Sequence, residues 1–372
     1  MIRVLQYIGP LQFGGSQSFV MELYRKIDKS QVQFDFVTFP GETSGNYDEI
    51  ISLGGKVFEC PQYSLKNHKA FCNWWHTFFK NHPEYKVLHG HVRSCASIYM
   101  PIAKKYGCKT IVHSHSTSNG SGVSSIVKAI YQYPIRYIAD YLFSCSDIAG
   151  KWLYGETATK KDNYRMIPNC VDLEYFAFSE KIRKQVRNEW NIAENDFVVG
   201  HIGRYHESKN HGYILEIFKE LLKLEPSSRL LLVGAGVKEG MEAMGADQAV
   251  IDRMIFTGAQ ARPGKFYQAM DMFLFPSVWE GLPMSVVEAQ AAGLPCLISD
   301  TITKNVLLTD LVSQHSIKQD AENWAKILLE HRKKERTSLG TENIACLKSF
   351  DSKIVAGQLQ EFYIQLSEGK QQ

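Results

Sequence analysis

Short apolar runs alternate along the chain with longer segments in which apolar residues recur at the spacing of an α-helix. Runs rich in β-branched and aromatic residues are typical of strands, and strands that alternate with helices form parallel sheets covered by helices. The pattern therefore predicts an α/β protein. The predicted strands are IRVLQYI, QFDFVTF, KVFE, KVLHG, TIVHS, YLFSC and YRMIP in the first half of the chain, and FVVGHIG, RLLLVGA, MIFTG, MFLFP and PCLIS in the second.

The two series of strands are separated by NCVDLEYFAFSEKIRKQVRNEW, which begins as an irregular connection and continues as a charged helix. A chain of 372 residues exceeds what one ordinary core holds, so we expect two doubly wound domains that face a central cleft. The predicted domains are residues 1–175 and 176–351. A last helix, over about residues 352–370, is expected to pack back on the first domain.

The composition excludes several classes of protein. Hydrophobic residues make up 44% and charged residues 22% of the chain, as in a globular protein rather than a disordered or fibrous one. A formal net charge of +3 gives no overall signature of nucleic-acid binding. Because no leader peptide and no run of about 18 apolar residues is evident, we expect a cytoplasmic protein.

Paired glycines follow the first predicted strand. Gly14 and Gly15 precede a helix predicted to begin near Ser16, so a ligand could approach the backbone closely at a helix N-terminus. A simple tight turn explains the pair equally well. The spacing is not GxGxxG, which disfavours a nicotinamide dinucleotide.

Two cations follow the strand FVVGHIG. Arg204 and Lys209 lie five positions apart around a predicted turn, before a helix start at Asn210 to Gly212. An arginine fork and a flexible lysine together suit a diphosphate, although loop cations are often only solvated.

Two glutamates follow the strand MFLFP. Glu280 precedes a helix predicted to begin close to Pro283, and Glu288 lies in the first turns of that helix. A structural role would place Glu280 on the helix dipole and Glu288 on a solvated face. The helix is nearly apolar all round, however, so an unpaired carboxylate there would be costly, and a ligand rich in hydroxyls would satisfy it.

Two histidines end the strand TIVHS. Alternation places His113 and His115 on one face. The pair could indicate a metal site, but no third ligand is evident nearby. We therefore favour a hydrogen-bonding role at the cleft.

Several segments together resemble the glycosyltransferases of family 4, which have the GT-B fold of two Rossmann-like domains. EGLPMSVVEAQAAGLP resembles the E-x7-E segment of the family, GRYHESKNH its Gly-Arg…Lys element, and IPNCVD its Ile-Pro-Asn-Gly-Val-Asp junction. The resemblance spans essentially the full chain. It implies a retaining transferase that moves a hexose or N-acetylhexosamine from a nucleotide sugar, expected to be a UDP-sugar, to a glycan or lipid-linked acceptor.

The resemblance also implies roles for individual residues. Arg204 and Lys209 would neutralise the donor diphosphate, while Glu280 would face the sugar hydroxyls and Glu288 would hold the ribose. His115, rather than His113, would lie beside the donor sugar. The other donor-binding positions that it implies are Gly14, Gly15, Gly258, Ala259, Gln260, Gly281, Leu282, Pro283 and Met284. The first domain would serve the acceptor and the second the donor.

Three positions depart from the family pattern, and two further features bear on the cofactor and on the biosynthetic process. Cys170 replaces a glycine of the junction, and Lys304 and Asn305 stand where polysaccharide relatives often carry an acidic residue. The chain has no Asp-x-Asp, so we expect neither a metal nor another cofactor. EAQAAGLPCLISD is most similar to bacterial enzymes of capsular or extracellular polysaccharide synthesis.

Aromatic and basic residues mix at roughly helical spacing over residues 69–86 and 124–141. This mixture predicts contact with the inner face of the cytoplasmic membrane, although core packing explains part of it. The expected partners are thus a nucleotide sugar, a glycan or lipid-linked acceptor and the membrane surface, without nucleic acid. A nucleotide-sugar epimerase, a phosphorylase or an inactive binding module on the same fold are the alternatives.

Overall fold

The computed structural model describes residues 1–12, 14–41, 45–115, 123–332, 336 and 339–369. The chain divides into two compact units. The first is Met1–Cys170 together with Ser352–Gln372, and the second is Val171–Asp351. Each unit is built around its own parallel sheet.

The described part of the first unit holds a seven-stranded parallel sheet in the order β3-β2-β1-β4-β5-β6-β7. All seven strands coincide with predicted runs. Strand β2 is buried along its whole length, as expected of a parallel strand that helices cover on both faces. The strands are β1 Ile2–Tyr7, β2 Val32–Thr38, β3 Val57–Glu59, β4 Val87–Gly90, β5 Lys109–Ser114, β6 Tyr141–Ser144 and β7 Tyr164–Met166.

Helices cover both faces of this sheet. They are α1 Gly15–Lys26, α2 Tyr47–Ser52, α3 His68–Asn81, α4 Ala96–Lys105, α5 Val123–Gln132, α6 Ile135–Ile138 and α7 Asp147–Tyr154. The aromatic face of α3 belongs to the core, where Phe71, Trp75, Phe78 and Phe79 are buried. Core packing therefore explains the aromatic pattern of residues 69–86, one of the two segments in which membrane contact was predicted.

The described part of the second unit holds a six-stranded parallel sheet in the order β10-β9-β8-β11-β12-β13. Five strands coincide with predicted runs. The sequence analysis missed β13, whose residues VSQH are half-buried and polar at the edge of the sheet and form no apolar run. The strands are β8 Val198–Ile202, β9 Arg229–Val233, β10 Met254–Phe256, β11 Met272–Phe275, β12 Cys296–Ser299 and β13 Val312–His315.

The helices of the second unit follow the same alternation. They are α8 Leu173–Phe176, α9 Glu180–Glu189, α10 His211–Leu224, α11 Val237–Ala243, α12 Gln248–Ile251, α13 Gly264–Ala269, α14 Met284–Ala291, α15 Ala321–Arg332 and α16 Thr341–Leu347. The last helix, α17 Ser352–Ser367, returns to the first unit and packs on α1, β1, β2 and β4. Its buried side chains include Leu359 and Tyr363.

The strand order reverses once in each sheet, between β1 and β4 and between β8 and β11. In open α/β sheets, ligands bind at the carboxyl ends of the strands beside such a reversal. The loops after these four strands are therefore the candidate ligand-binding positions of the two units.

At the carboxyl edge of the second sheet, the backbones of neighbouring loops lie very close to each other. Gly234 follows β9, and its N–H donates to the carbonyl oxygen of Gly258 at 3.0 Å. A Cβ on Gly234 would lie 2.1 Å from the carbonyl oxygen of Gly203. Because that neighbour is backbone, it cannot rotate away, and only glycine fits.

We therefore expect Gly234→Ala to lower the free energy of unfolding of the second unit by about 1–3 kcal/mol, as overpacking does. Gly357→Ala is the matched control, since a Cβ there meets no atom within 4 Å inside helix α17. It should raise stability by about 0.5–1 kcal/mol. Calorimetric melting of both variants measures the difference, and a Gly234→Ala protein as stable as the wild type would contradict this account of the loop.

Candidate functional site

The loop after β8 carries both predicted diphosphate cations. The Nζ of Lys209 forms an ion pair with Oε1 of Glu280 at 2.7 Å and lies 4.7 Å from the ring centroid of Phe275. Arg204 is exposed and has no ion-pair partner within the described part of the chain. The loop thus offers one exposed guanidinium and one ammonium that a carboxylate already holds in place.

Backbone contacts fix the course of this loop. Gly203 leaves room for Lys209, because a Cβ at that position would lie 3.1 Å from the lysine Cε. Asn210 has a left-handed φ of 57° and begins helix α10, as predicted. Its Nδ2 donates to the carbonyl oxygen of Pro276 at 3.1 Å, which ties the loop to the end of β11.

The loop after β11 brings Glu280 to the same edge. Val278 N–H donates to the carbonyl oxygen of Ser208 at 2.8 Å, so the loops after β8 and β11 are bonded to each other. Pro283 caps helix α14, which begins at Met284 as the sequence predicts. Among the predicted donor-binding positions of this loop, Gly281 is exposed, Leu282 and Met284 are half-buried and Pro283 is buried.

Glu288 has a protein partner that the sequence did not reveal. The hydroxyl of Tyr267, on α13, donates to Oε2 of Glu288 at 2.7 Å. Burial, and then the charge of Glu288, raise the pKa of Tyr267 well above its ordinary value, so the hydroxyl remains a donor. The argument that this carboxylate needs a ligand to be satisfied is therefore wrong, because the protein itself supplies a hydroxyl.

The segment after β10 exposes backbone beside Gly234. Gly258 has a φ of 69° and is exposed, as is Ala259. Gln260 is half-buried, and its Nε2 donates to the carbonyl oxygen of Thr257 at 2.8 Å. The predicted donor-binding positions after β10 thus lie next to the Gly203 and Gly234 loops of the same sheet edge.

In the first unit, Gly14 and Gly15 stand at the start of α1. Gly14 is extended, with a φ of −160°, and its carbonyl oxygen accepts from Ser18 N–H at 2.8 Å. A Cβ on Gly15 would meet no atom within 4 Å. Any residue adopts the backbone of Gly14, but a Cβ there would lie 2.7 Å from Oε1 of Gln17, so only Gly15 leaves open space at the helix N-terminus.

Four stacked histidines lie at the carboxyl ends of β4 and β5. His113 and His115 share a face, as predicted, with ring centroids 4.1 Å apart. His89 on the adjacent strand β4 and His91 just after that strand extend the stack, and their centroids are 4.4 Å apart. The sequence analysis missed the β4 pair, although the two-residue spacing in LHGHV would have signalled a shared face.

This cluster overturns the reason given against a metal site. Ring nitrogens of His89, His91 and His113 lie within 4.8 Å of one another, so a third candidate ligand is present. The rings of His89 and His113 are nearly parallel, however, at 4°, so their lone pairs do not converge on one point as zinc requires. Both nitrogens of His91 already have partners. The geometry is that of a stack of rings in which His91 and His115 are hydrogen-bonded to each other.

Burial determines the charge of the stack. It lowers the pKa of His89 and of His115 to about 3, and the pKa values of His91 and His113 fall well below the ordinary range. The positive charge of Arg93 lowers the pKa of His115 further. All four imidazoles are therefore uncharged at neutral pH, and His115 is a neutral donor and acceptor.

The departures from the family pattern have structural explanations. Cys170 is buried in the core beneath α17, and it is not among the described non-glycine residues with positive φ. A glycine is therefore not required there. Lys304 and Asn305 are exposed in a short turn, Lys304–Val306, after β12.

Comparison with known proteins identifies the family to which the chain is related. A family model described as Glycosyltransferase Family 4 matches residues 13–175, and one described as Glycosyl transferases group 1 matches residues 182–342. EpsF of Bacillus subtilis (strain 168), named as a glycosyltransferase, is 32% identical over 88% of this chain and 86% of its own. An α-1,3-galactosyltransferase of Escherichia coli, named for UDP-Gal and GlcNAc-diphosphoundecaprenol, is 27% identical over 67% of this chain and 66% of its own.

Solved structures share the fold. HepE of Anabaena, crystallised with UDP-glucose, gives a TM-score of 0.73 at 16% identity, over 98% of this chain and 100% of that one. The lipopolysaccharide glycosyltransferase WaaG gives 0.69 at 15% identity, over 99% and 100%. The predicted GT-B class, with two Rossmann-like units in one chain, is confirmed. Because family models match both units and a relative 32% identical spans most of the chain, the protein belongs to the family 4 glycosyltransferases.

Proposed function

We propose that the protein is a retaining enzyme that transfers a hexose or N-acetylhexosamine from a UDP-sugar to a glycan or lipid-linked acceptor in capsular or extracellular polysaccharide synthesis. The observation that carries the proposal is the group of Arg204, Lys209 and Glu280 on two bonded loops beside the strand reversal. The names of the relatives, which include UDP-Gal and a diphosphoundecaprenol acceptor, support this choice of substrates.

The two cations would bind the donor diphosphate. Arg204 is exposed and carries its charge without an ion-pair partner among the described residues, so a phosphate can engage its whole fork. Lys209 is held by Glu280, and its ammonium can donate to a phosphate oxygen while it keeps the carboxylate contact. These charges would stabilise the leaving diphosphate in place of a metal.

The two carboxylates would bind different parts of the donor. Lys209 positions Glu280 at the end of β11, where we assign it to the hydroxyls of the sugar. Tyr267 orients Glu288 on α14, where we assign it to the ribose. His115, neutral at working pH, is assigned to a hydrogen bond with the donor sugar, and the leaving phosphate would take up the acceptor proton.

The reaction is tested with a panel of UDP-hexoses and UDP-N-acetylhexosamines and an undecaprenyl-diphosphate-linked sugar. We expect transfer with retained anomeric configuration, UDP release that depends on the acceptor, and full activity in EDTA. Activity lost in EDTA and restored by Mg²⁺ would contradict metal independence. An epimerised donor without transfer would indicate the epimerase, and dependence on inorganic phosphate would indicate the phosphorylase.

The roles assigned to Glu280 and Glu288 can be distinguished by the ligand affinity that each variant loses. Glu288→Ala should weaken the affinity for both UDP and intact donor by about 10-fold, because a charge-assisted hydrogen bond common to both is lost. Glu280→Ala should leave UDP affinity nearly intact but lower turnover and the discrimination between epimeric donors. Calorimetric titration measures this, with the exposed Glu239→Ala as control. Loss of UDP affinity in Glu280→Ala alone would reverse the assignments.

The remaining aromatic segment supports contact with a membrane. None of the helices that the structure describes has the length and apolar character needed to cross a bilayer. Over residues 124–141, however, the side chains of Ile126, Ile130, Tyr133 and Tyr137 are 58–68% exposed. We propose that this apolar surface lies against the inner face of the cytoplasmic membrane, where a lipid-linked acceptor would be found.

Vesicle sedimentation tests this contact. The protein should bind phosphatidylglycerol vesicles, and Ile126→Ser with Ile130→Ser should reduce partitioning by about 10-fold or more, because two apolar side chains no longer enter the interface. Ile344→Ser, at an isoleucine 46% exposed on α16, is the matched control. Equal partitioning of both variants and the wild type would exclude this segment as the contact.

A further inference from the structure

A chain of hydrogen bonds leads from His115 to the last helix. Nε2 of His115 lies 2.7 Å from Nδ1 of His91, and Nε2 of His91 lies 3.0 Å from Oε1 of Gln6 on β1. Nε2 of Gln6 donates to the hydroxyl of Tyr363 on α17 at 3.3 Å. That hydroxyl lies 2.6 Å from Nδ1 of His89. Four elements of the first unit therefore share one polar network.

The orientation of Gln6 gives the network a direction. An amide oxygen only accepts, so Nε2 of His91 carries the proton of that neutral imidazole. Its Nδ1 must then accept, and Nε2–H of His115 must donate to it. A neutral imidazole has one N–H, so Nδ1 of His115 is left as an acceptor.

The other side of His115 would favour the opposite tautomer. Asn169 lies next to His115, and its side chain raises the pKa of His115 against the larger lowering by burial. Its Oδ1 and Nδ1 of His115 are both buried, and neither has a donor among the residues that the structure describes. If the network did not hold the proton on Nε2, His115 could turn an Nδ1–H toward this oxygen.

Two buried acceptors without donors suit a particular ligand. Leaving such atoms unpaired is costly, and the cost is removed when a ligand brings O–H groups to them. Neighbouring hydroxyls of a sugar supply two such donors. The neutral state of the stack, which burial enforces, keeps Nδ1 available for this bond at neutral pH.

We propose that Gln6 and Tyr363 are positioning residues, which hold His91 and His115 in their Nε2–H tautomers and so present Nδ1 of His115, beside Asn169, as an acceptor for sugar hydroxyls. The inference rests on the proposed role of His115 at the donor sugar. It adds a function for the last helix, whose Tyr363 is fully buried 357 positions from Gln6 along the chain.

Tyr363→Phe tests this, since it removes one hydroxyl and keeps the ring in the core. We expect kcat to fall by about 10-fold, with the KM for the donor nearly unchanged, because His115 is misoriented rather than lost. Tyr24→Phe is the matched control: Tyr24 is buried in the same core, and its hydroxyl donates to the carbonyl oxygen of Leu53. Its kcat should stay at the wild-type value.

The second readout is the tautomer itself, measured on histidine-labelled full-length protein by ¹⁵N NMR. Wild-type His91 and His115 should both show Nε2–H, and Tyr363→Phe should shift His115 toward Nδ1–H. Gln6→Glu, which keeps an acceptor for His91, should retain Nε2–H, whereas Gln6→Met should not.

The outcomes separate this inference from the proposed reaction. An Nδ1–H tautomer in the wild type, or equal losses of kcat in Tyr363→Phe and Tyr24→Phe with unchanged tautomers, would overturn it whatever the enzyme transfers. Full activity of His115→Ala would instead remove His115 from the proposed function, and the NMR result would still decide whether the network sets its tautomer.

Discussion

Parallel pairing is the constraint on which the rest of this protein depends. Every strand pair in both sheets is parallel, so all carboxyl ends within a sheet meet at one edge. Loops that are far apart in the chain are brought together there by the pairing of their strands. In the second unit the loops after β8 and β11 are bonded to each other through Ser208 and Val278. These two loops follow the strands between which the order of the sheet reverses, where open α/β sheets bind their ligands.

Contacts within the second unit fix the positions of its partly buried charges. Lys209 and Glu280 hold each other at 2.7 Å, and Tyr267 holds Glu288 at 2.7 Å. Such pairs reduce the cost of partly burying ionised groups and fix the directions in which they point. The protein's own side chains therefore set the orientations of Glu280 and Glu288.

In the first unit, the main electrostatic feature is a cluster of four buried histidines. Four imidazoles stacked in a buried edge could not all be charged, and burial keeps them neutral. Neutral imidazoles can join a directional hydrogen-bond chain, because each has one donor and one acceptor. The last helix contributes Tyr363 to this chain, so a segment that closes the core also bears on the orientation of His115.

The sequence by itself determined the local elements: twelve of the thirteen described strands, a helix start close to Pro283 and a helix start at Asn210 follow from short-range apolar patterns and turn chemistry. It also brought Arg204, Lys209 and Glu280 to strand ends, because residue type and position relative to a strand are visible in one dimension. Only the tertiary structure decided which side chains meet. Tyr267 reaches Glu288 from another helix, and His91 reaches His115 from another strand. The polar strand β13 forms only because β12 offers it an edge. These pairings depend on strand order and helix packing, and a local pattern carries no information about either.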